Sequence, residues 1–372
     1  AALSQNRRVN NMSKLGDLGA RLYRGEVSYD FVGRRRFLYT ISAVVLAISF
    51  FGLFGRGLNL GIEFRGGAEF QVASQAGTVE QARATVSSLG IENPIVTKLG
   101  NGTLRIQTRD LTTEETNSVV SALATTFSVA EGEVRVQIVG PSWGSDITSK
   151  AIQALIWFLA LVALFLAAAF EWRMAIAALV ALAHDVIITV GIYALTGFEV
   201  TPSTVIGVLT ILGFSLYDTV VVFDKVKENT RGIEKQSKMT YPEAANLALN
   251  QTLVRSINTS VVALLPVAAI LIIGAGLLGA GTLRDLSLAL FIGMLVGAYS
   301  SLAVATPVLS QLKEKQPEMI ALAKRAANRS KKSADSGADG SAVAVDDVEV
   351  ATAANYETGY RNQPRRKPRS KR

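Results

Sequence analysis

The chain has 372 residues, 49% of them hydrophobic, with 38 Lys and Arg against 30 Asp and Glu, one histidine and no cysteine. Disulfides, thiol catalysis and cysteine-ligated metals are thereby excluded, and a single histidine excludes a multi-histidine centre, so neither metal nor cofactor is expected. The net charge of +8 says little about partners, because the apolar residues are gathered into long runs and membrane proteins carry surplus Lys and Arg on cytoplasmic loops.

Residues 1–36 are polar and basic, ending in the triplet Arg34 to Arg36, and are expected to form a cytoplasmic arm. The triplet before Phe37-Leu38 imitates a twin-arginine export signal. The run from Phe37 to Phe54 is longer and more apolar than a signal core, and no small-residue cleavage site follows, so residues 37–56 are predicted to be an uncleaved first span.

Residues 57–147 change character. Ala68 to Ala73 alternates as a strand, and Thr78 to Leu89 has helical spacing. Ile95 to Leu99 and Thr103 to Gln107 flank Asn101-Gly102, a hairpin signal. Thr112 to Phe127 opens with Glu115 three residues after Thr112, a capping-box pattern, and Val134 to Val139 reads as a last strand. The order β-α-β-β-α-β is that of a ferredoxin-like split βαβ domain.

Residues 148–312 return to the membrane. Spans are predicted over Ala151 to Phe170, Met174 to Leu195, Ser203 to beyond Val222, Ile257 to Leu278 and Leu286 to Leu309. A polar loop over 224–255 contains a capping-box start at Thr240 and Glu243, so Pro242 to Leu253 is expected to be a helix lying along the membrane surface. Gly-rich turn signals occupy 279–285. The tail, residues 313–372, is expected to be disordered from about Lys331 and ends in a basic cluster, read as a solubilising tail with no specific nucleic acid as partner, the other reading being contact with anionic lipid or ribosomal RNA. The arm, the 224–255 loop and the tail are basic while the opposite turns are nearly uncharged, which puts both termini in the cytoplasm and the small domain outside. The fold class expected is a polytopic α-helical membrane protein of six spans with an extracytoplasmic α+β ferredoxin-like domain.

Three polar features sit inside the spans. Asp218, with Thr219 beside it, lies in the fourth; His184-Asp185 lies about a dozen residues into the third, at a comparable depth because the two helices run antiparallel; Arg255 opens the fifth, with Ser256, Asn258, Thr259 and Ser260 behind it. An acid at membrane depth costs at least about 2.5 kcal/mol on insertion scales, so it faces protein or water and has a partner or a proton. Asp218, Asp185, His184 and Arg255 are therefore candidates for a proton relay. Burial and a nearby guanidinium act in opposite senses on a carboxylate, so a mobile Arg255 would switch Asp218 between holding and releasing a proton. The other readings are a static buried Asp218–Arg255 pair that fixes helix packing, and an interhelical hydrogen-bonding role for His184-Asp185. Asp224 is expected to mark the membrane exit. Glycines 207, 213, 274, 276, 293 and 297 are expected to be mostly close-packing positions, with Gly293-Met-Leu-Val-Gly297 marking a helix interface. No Walker loop, dinucleotide fingerprint, nucleophile elbow or His-Glu-x-x-His occurs, so no enzyme activity is expected.

Gly61-Ile-Glu-Phe-Arg-Gly-Gly67, the run from Ser215 through Asp218-Thr-Val-Val-Val-Phe-Asp224 to Asn229, and Arg255-Ser-Ile-Asn-Thr-Ser260 together resemble the SecD/SecF family of bacterial protein-export membrane proteins, on the SecF side, within the resistance-nodulation-division superfamily. The resemblance covers about residues 34 to 312. It implies work with SecD at the SecYEG channel, with a YajC-like accessory subunit, downstream of SecA, in the bacterial plasma membrane. Its activity would be coupling of the proton-motive force to late steps of preprotein translocation. Carried over by motif, Asp218 would be the protonatable acid, Arg255 the cation that modulates it, and Glu63, Gly66 and Gly67 the motif at the membrane exit. Glu63 stands where the family often has Asp, and Tyr217 where Asn commonly precedes the acid, so hydrogen bonding around Asp218 is expected to differ. A proton-coupled small-molecule exporter of the same superfamily, and a passive translocon scaffold, are the other functional classes. The first predicts a duplicated twelve-span chain, and the second would tolerate Asn at Asp218.

Overall fold

The structure, a computed structural model, describes residues 21, 28–73, 77–99, 102–236, 238–277 and 281–335. Among the described residues, six helical stretches are long and apolar enough to cross a membrane. The first is α1 (Arg35–Arg56). A small domain follows: β1 (Asn59–Leu60), α2 (Ile62–Arg65), β2 (Gly67–Ala73), α3 (Val79–Ser87), β3 (Ile95–Lys98), β4 (Thr103–Thr108), α4 (Thr113–Phe127) and β5 (Arg135–Val139). The remaining spans are α5 (Pro141–Ala169), α6 (Trp172–Thr196), α7 (Pro202–Asn229), α8 (Tyr241–Ala269) and α9 (Gly281–Ser300), with β6 (Glu199–Val200) between α6 and α7. After α9 the chain winds as a π-helix over Ser301–Ala305 and continues as α10 (Thr306–Glu314) and α11 (Pro317–Asp335).

The small domain has the expected ferredoxin-like order. Its antiparallel sheet runs β3-β4-β2-β5, with Phe70 opposite both Ile106 and Val136. Strand alternation sends Phe70, Val72, Leu104 and Ile106 to the face covered by α3 and α4, where they meet Val86, Val119 and Leu123 in one core. Each large apolar side chain fully buried there contributes about 1.5–3 kcal/mol. Both helices are closed by capping boxes, Thr78 with Gln81 and Thr112 with Glu115, so backbone N–H groups at their first turns have acceptors. The opposite face of the sheet is polar, carrying Glu69, Arg105 and Gln107. Asn101 of the expected hairpin lies outside the described residues.

Several boundaries differ from expectation. The surface helix over Pro242 to Leu253 and the span beginning at Ile257 are one continuous α8, because no residue between Leu253 and Ile257 breaks a helix and a change from polar to apolar composition leaves the backbone ladder intact. The fifth span then continues as π-helix over Ile270–Leu277. Likewise α7 runs on to Asn229, so Asp224 is a helical residue, and it is exposed. The helix of the second span begins at Pro141, a favourable first helical position, ahead of the expected start at Ala151. The tail is helical through α11, with Met319 and Leu322 buried against the bundle core, so the helix runs a few residues past the expected onset of disorder at about Lys331; residues 336–372 lie outside the described set. Of the arm, residues 21 and 28–36 are described. Asn246 and Asn250 of α8 fasten its 28–34 stretch, accepting from the Phe31 and Tyr29 N–H groups at 2.9 and 2.8 Å.

Helix contacts use small residues. A Cβ on Gly191 would lie 2.2 Å from Ser49 Cβ, and one on Gly293 2.2 Å from Ile211 Cδ1, so α6 meets α1 and α9 meets α7 at close range. Gly297 faces Ser215 in the same way, making Gly293 and Gly297 the interface expected of them. Gly213 does not fit that pattern: it faces open space.

Candidate functional site

Packing of α6, α7, α8 and α9 brings four serines onto two acids. Asp185, on α6, and Asp218, on α7, are both buried, at 1% and 3% exposure. Asp185 Oδ2 accepts from Ser215 Oγ at 2.5 Å and from Ser300 Oγ at 2.8 Å. Asp218 accepts from Ser256 at Oδ1, 2.7 Å, and from Ser301 at Oδ2, 2.5 Å. All four serines are buried. A buried carboxylate left without donors is strongly unfavourable, and O–H donors at these distances are in the charge-assisted range. Among the described residues neither acid is ion-paired with Lys or Arg. The site is thus two carboxylates, each clasped by two hydroxyls, with consecutive residues of α9 and its π turn reaching one acid each.

The other expected residues are distributed around this centre. His184 Nδ1 lies 3.2 Å from Asp185 Oδ1, and its ring stacks on Tyr299, while Nε2 is buried with no hydrogen-bond partner among the described residues. Thr219 is buried beside Asp218. Arg255 is exposed and donates from Nη2 to the Tyr217 hydroxyl at 3.2 Å, so the static buried Asp218–Arg255 pair is not present. Helical geometry explains this. Arg255 and Ser256 are neighbours, so their side chains point about 100° apart, and Ser256 takes the inward position. Asn258, two residues further, is exposed. Ser215 and Ser256 stood in the family-like runs around Asp218 and Arg255, but nothing in the sequence assigned them to the acids, and Ser300 and Ser301 carried no signal, since serine is common in membrane helices and the four come from three helices.

A second polar cluster joins the small domain to the bundle. β1 pairs in parallel with β6, Asn59 opposite Glu199, on the short connection between α6 and α7. Arg105 on the polar sheet face bonds Glu69 through Nε and Glu199 through Nη1, both at 2.7 Å. Gln107 Nε2 bridges the same two glutamates at 3.0 and 2.6 Å. Burial pushes the Glu199 carboxyl above its ordinary value, Arg105 opposes this, and Glu69 and Glu63 add to it. Burial works to lower Arg105, but Glu199 and Glu69 leave it raised on balance. Glu63 sits in α2 with Oε2 buried and without a partner among the described residues. Gly66 and Gly67 follow with φ of +79° and +136°, and a Cβ on Gly67 would lie 2.3 Å from the Thr108 carbonyl oxygen, so only glycine lets β2 leave α2 along this path.

The family model for the C-terminal region of the protein export membrane proteins SecD/SecF matches residues 119–315, and that for the SecD/SecF GG motif matches residues 51–77. The chain belongs to the SecD/SecF family. The protein translocase subunit SecF of Streptomyces coelicolor is 53% identical over 95% of this chain and 96% of its own. That of Mycobacterium tuberculosis is 42% identical over 82% of this chain and 72% of its own. Among solved structures, SecDF from Thermus thermophilus, described as a translocon-associated membrane protein, superposes with a TM-score of 0.70 at 29% identity. That match covers 80% of this chain and 42% of the SecDF chain. SecDF in a super-membrane-facing form gives 0.57 at 28% identity, over 84% of this chain and 40% of the other. In SecD/SecF terms, the matched C-terminal region contains both acids, all four serines and Arg255, and the matched GG motif contains Glu63, Gly66 and Gly67.

Proposed function

We propose that the chain is a SecF-type subunit that works with SecD to couple the proton-motive force to late steps of preprotein translocation across the bacterial plasma membrane. The observation that carries this reading is the pair of acids buried at membrane depth, each held by two hydroxyls and by no Lys or Arg among the described residues. Such a carboxylate has its hydrogen bonds satisfied without a fixed counter-charge, so it can take up a proton and give it back. Asp218 carries the proton, Asp185 with His184 extends the path, and Arg255, one helical position from Ser256, is the cation whose approach to Asp218 favours release.

In this reading both termini are cytoplasmic. Arg34 to Arg36 at the start of α1, Lys225, Lys227 and Arg231 near the end of α7, and Lys313 in α10 belong to that side. The ferredoxin-like domain is then extracytoplasmic, where it meets the emerging preprotein. Contact with SecYEG, with a YajC-like subunit and indirectly with SecA follows from that placement at the channel, and no enzymatic step is assigned to the chain. Replacing Asp218 with Asn tests the reading in cells lacking the native copy. Export of a secreted reporter is expected to fall to background while the variant still inserts and retains its partner. Full export would leave Asp218 as a packing element of a passive scaffold.

A further inference from the structure

The four serines around the acids are of two kinds. Ser215 and Ser256 each donate to a carboxylate and have no second acceptor among the described residues. Ser300 and Ser301 each have one. Ser300 Oγ lies 2.8 Å from Asp185 Oδ2 and 3.3 Å from the Gly297 carbonyl, and Ser301 Oγ lies 2.5 Å from Asp218 Oδ2 and 3.2 Å from the Ala298 carbonyl. A hydroxyl has one hydrogen to give and two lone pairs to accept with. Each of these two serines therefore chooses between a carboxylate and its own helix. Charge decides: an ionised carboxylate only accepts, and draws the hydrogen more strongly than a neutral carbonyl. Once a proton is on Oδ2 that oxygen becomes a donor, so the serine oxygen accepts and its own hydrogen turns to the carbonyl.

The place in the chain gives this choice a consequence. Gly297 and Ala298 belong to the last turn of α9, and winding changes from α to π at Ser301. A π turn accommodates one extra residue in the hydrogen-bond ladder and recurs at functional sites. A hydroxyl that bonds a carbonyl one turn back competes with the ladder and bends helices. Thr306 Oγ1, directly after the π turn, is buried without a hydrogen-bond partner among the described residues, so the polar contacts at this turn are not all made.

We infer that Ser300 and Ser301 are positioning residues that convert the protonation state of Asp185 and Asp218 into the winding of α9 at its π turn. On protonation a proton leaves hydronium, whose O–H bond breaks, and bonds to Oδ2; the hydrogen bond between acid and serine reverses direction, no bond between heavy atoms changes, and return of the proton to water restores the first arrangement. The inference rests on the proton-handling role proposed above for Asp218.

The test is a double-mutant cycle read by amide hydrogen exchange at one pH, on the full chain with its partner in lipid nanodiscs. Asp218→Asn mimics the neutral acid. It is expected to speed exchange of the peptide spanning 300–306 about fivefold, the change that one ordinary hydrogen bond produces. In a Ser301→Ala background the same substitution is expected to change exchange less than about twofold, because the reporter is gone. Ser301→Thr, which keeps the hydroxyl, restores the response, and Ser256→Ala leaves it intact. An equal response with and without the Ser301 hydroxyl overturns the inference. Asp185→Asn with Ser300→Ala repeats the cycle at the other acid, so a folding failure at one site leaves the test standing. If Asp218→Asn abolishes export but shows no Ser301-dependent exchange, the inference alone fails; if Asp218→Asn exports normally, the proton reading itself fails.

Discussion

Arg105 Nη1 and Glu199 Oε2 lie 2.7 Å apart, joining the polar face of the small sheet to the connection between α6 and α7. Those helices carry Asp185 and Asp218, so the outer domain is fastened to the turn that links the two acid-bearing helices. Removing Arg105 leaves Glu69 and Glu199 buried without their cation, and Arg105→Met is expected to cost about 3–5 kcal/mol. Glu199→Gln behaves differently. Because burial holds the Glu199 carboxyl above its ordinary value of 4.5, the fold favours its protonated form. Its contribution is fully present below that ordinary value and is lost as pH rises through the raised one. Thermal unfolding is therefore expected to show Glu199→Gln matching or slightly exceeding the parent at neutral pH, with the difference vanishing in acid, whereas Arg105→Met is destabilised most at neutral pH, where the carboxylates left behind are charged, and less in acid.

Arg255 gives a second prediction. It is exposed and bonded to Tyr217, so Arg255→Ala is expected to change stability by less than about 0.5 kcal/mol. Export is expected to fall all the same, because the cation proposed to favour proton release is gone. Measuring melting temperature and reporter export on one preparation checks both halves. A large stability loss would mean that Arg255 serves packing.

Two glycines make a third, contrasting pair. Gly67 has φ of +136° with the Thr108 carbonyl in the path of any Cβ, so strain and clash together are expected to cost Gly67→Ala about 2–4 kcal/mol. Gly213 lies inside α7 with nothing near a Cβ, and Gly213→Ala is expected to stabilise by about 0.5–1 kcal/mol. Chemical unfolding of the two variants reads the difference.

The spans and the ferredoxin-like order were legible in the sequence because hydropathy and strand alternation are local, and Thr112 with Glu115 announced α4 directly. The two acids were legible for the same reason, as charges in apolar runs. What holds them was not. Ser215, Ser256, Ser300 and Ser301 come together only after three helices pack, and the glycines that allow this approach signal contact without naming a partner. The direction of Arg255 depends on a rotation that its position in the chain does not reveal. The β1–β6 pair is two residues long, too short for any periodicity, and the continuity of α8 was masked by a change of composition that has no effect on helix geometry.

The central claim is that Asp218 links the proton gradient to export, and the most direct measurement is late-stage translocation in inner-membrane vesicles with the gradient intact or collapsed by a protonophore. The parent protein is expected to slow several-fold when the gradient is collapsed. Asp218→Asn is expected to be slow in both conditions, with no response to the protonophore. A variant that still responds to the gradient as the parent does would contradict the account.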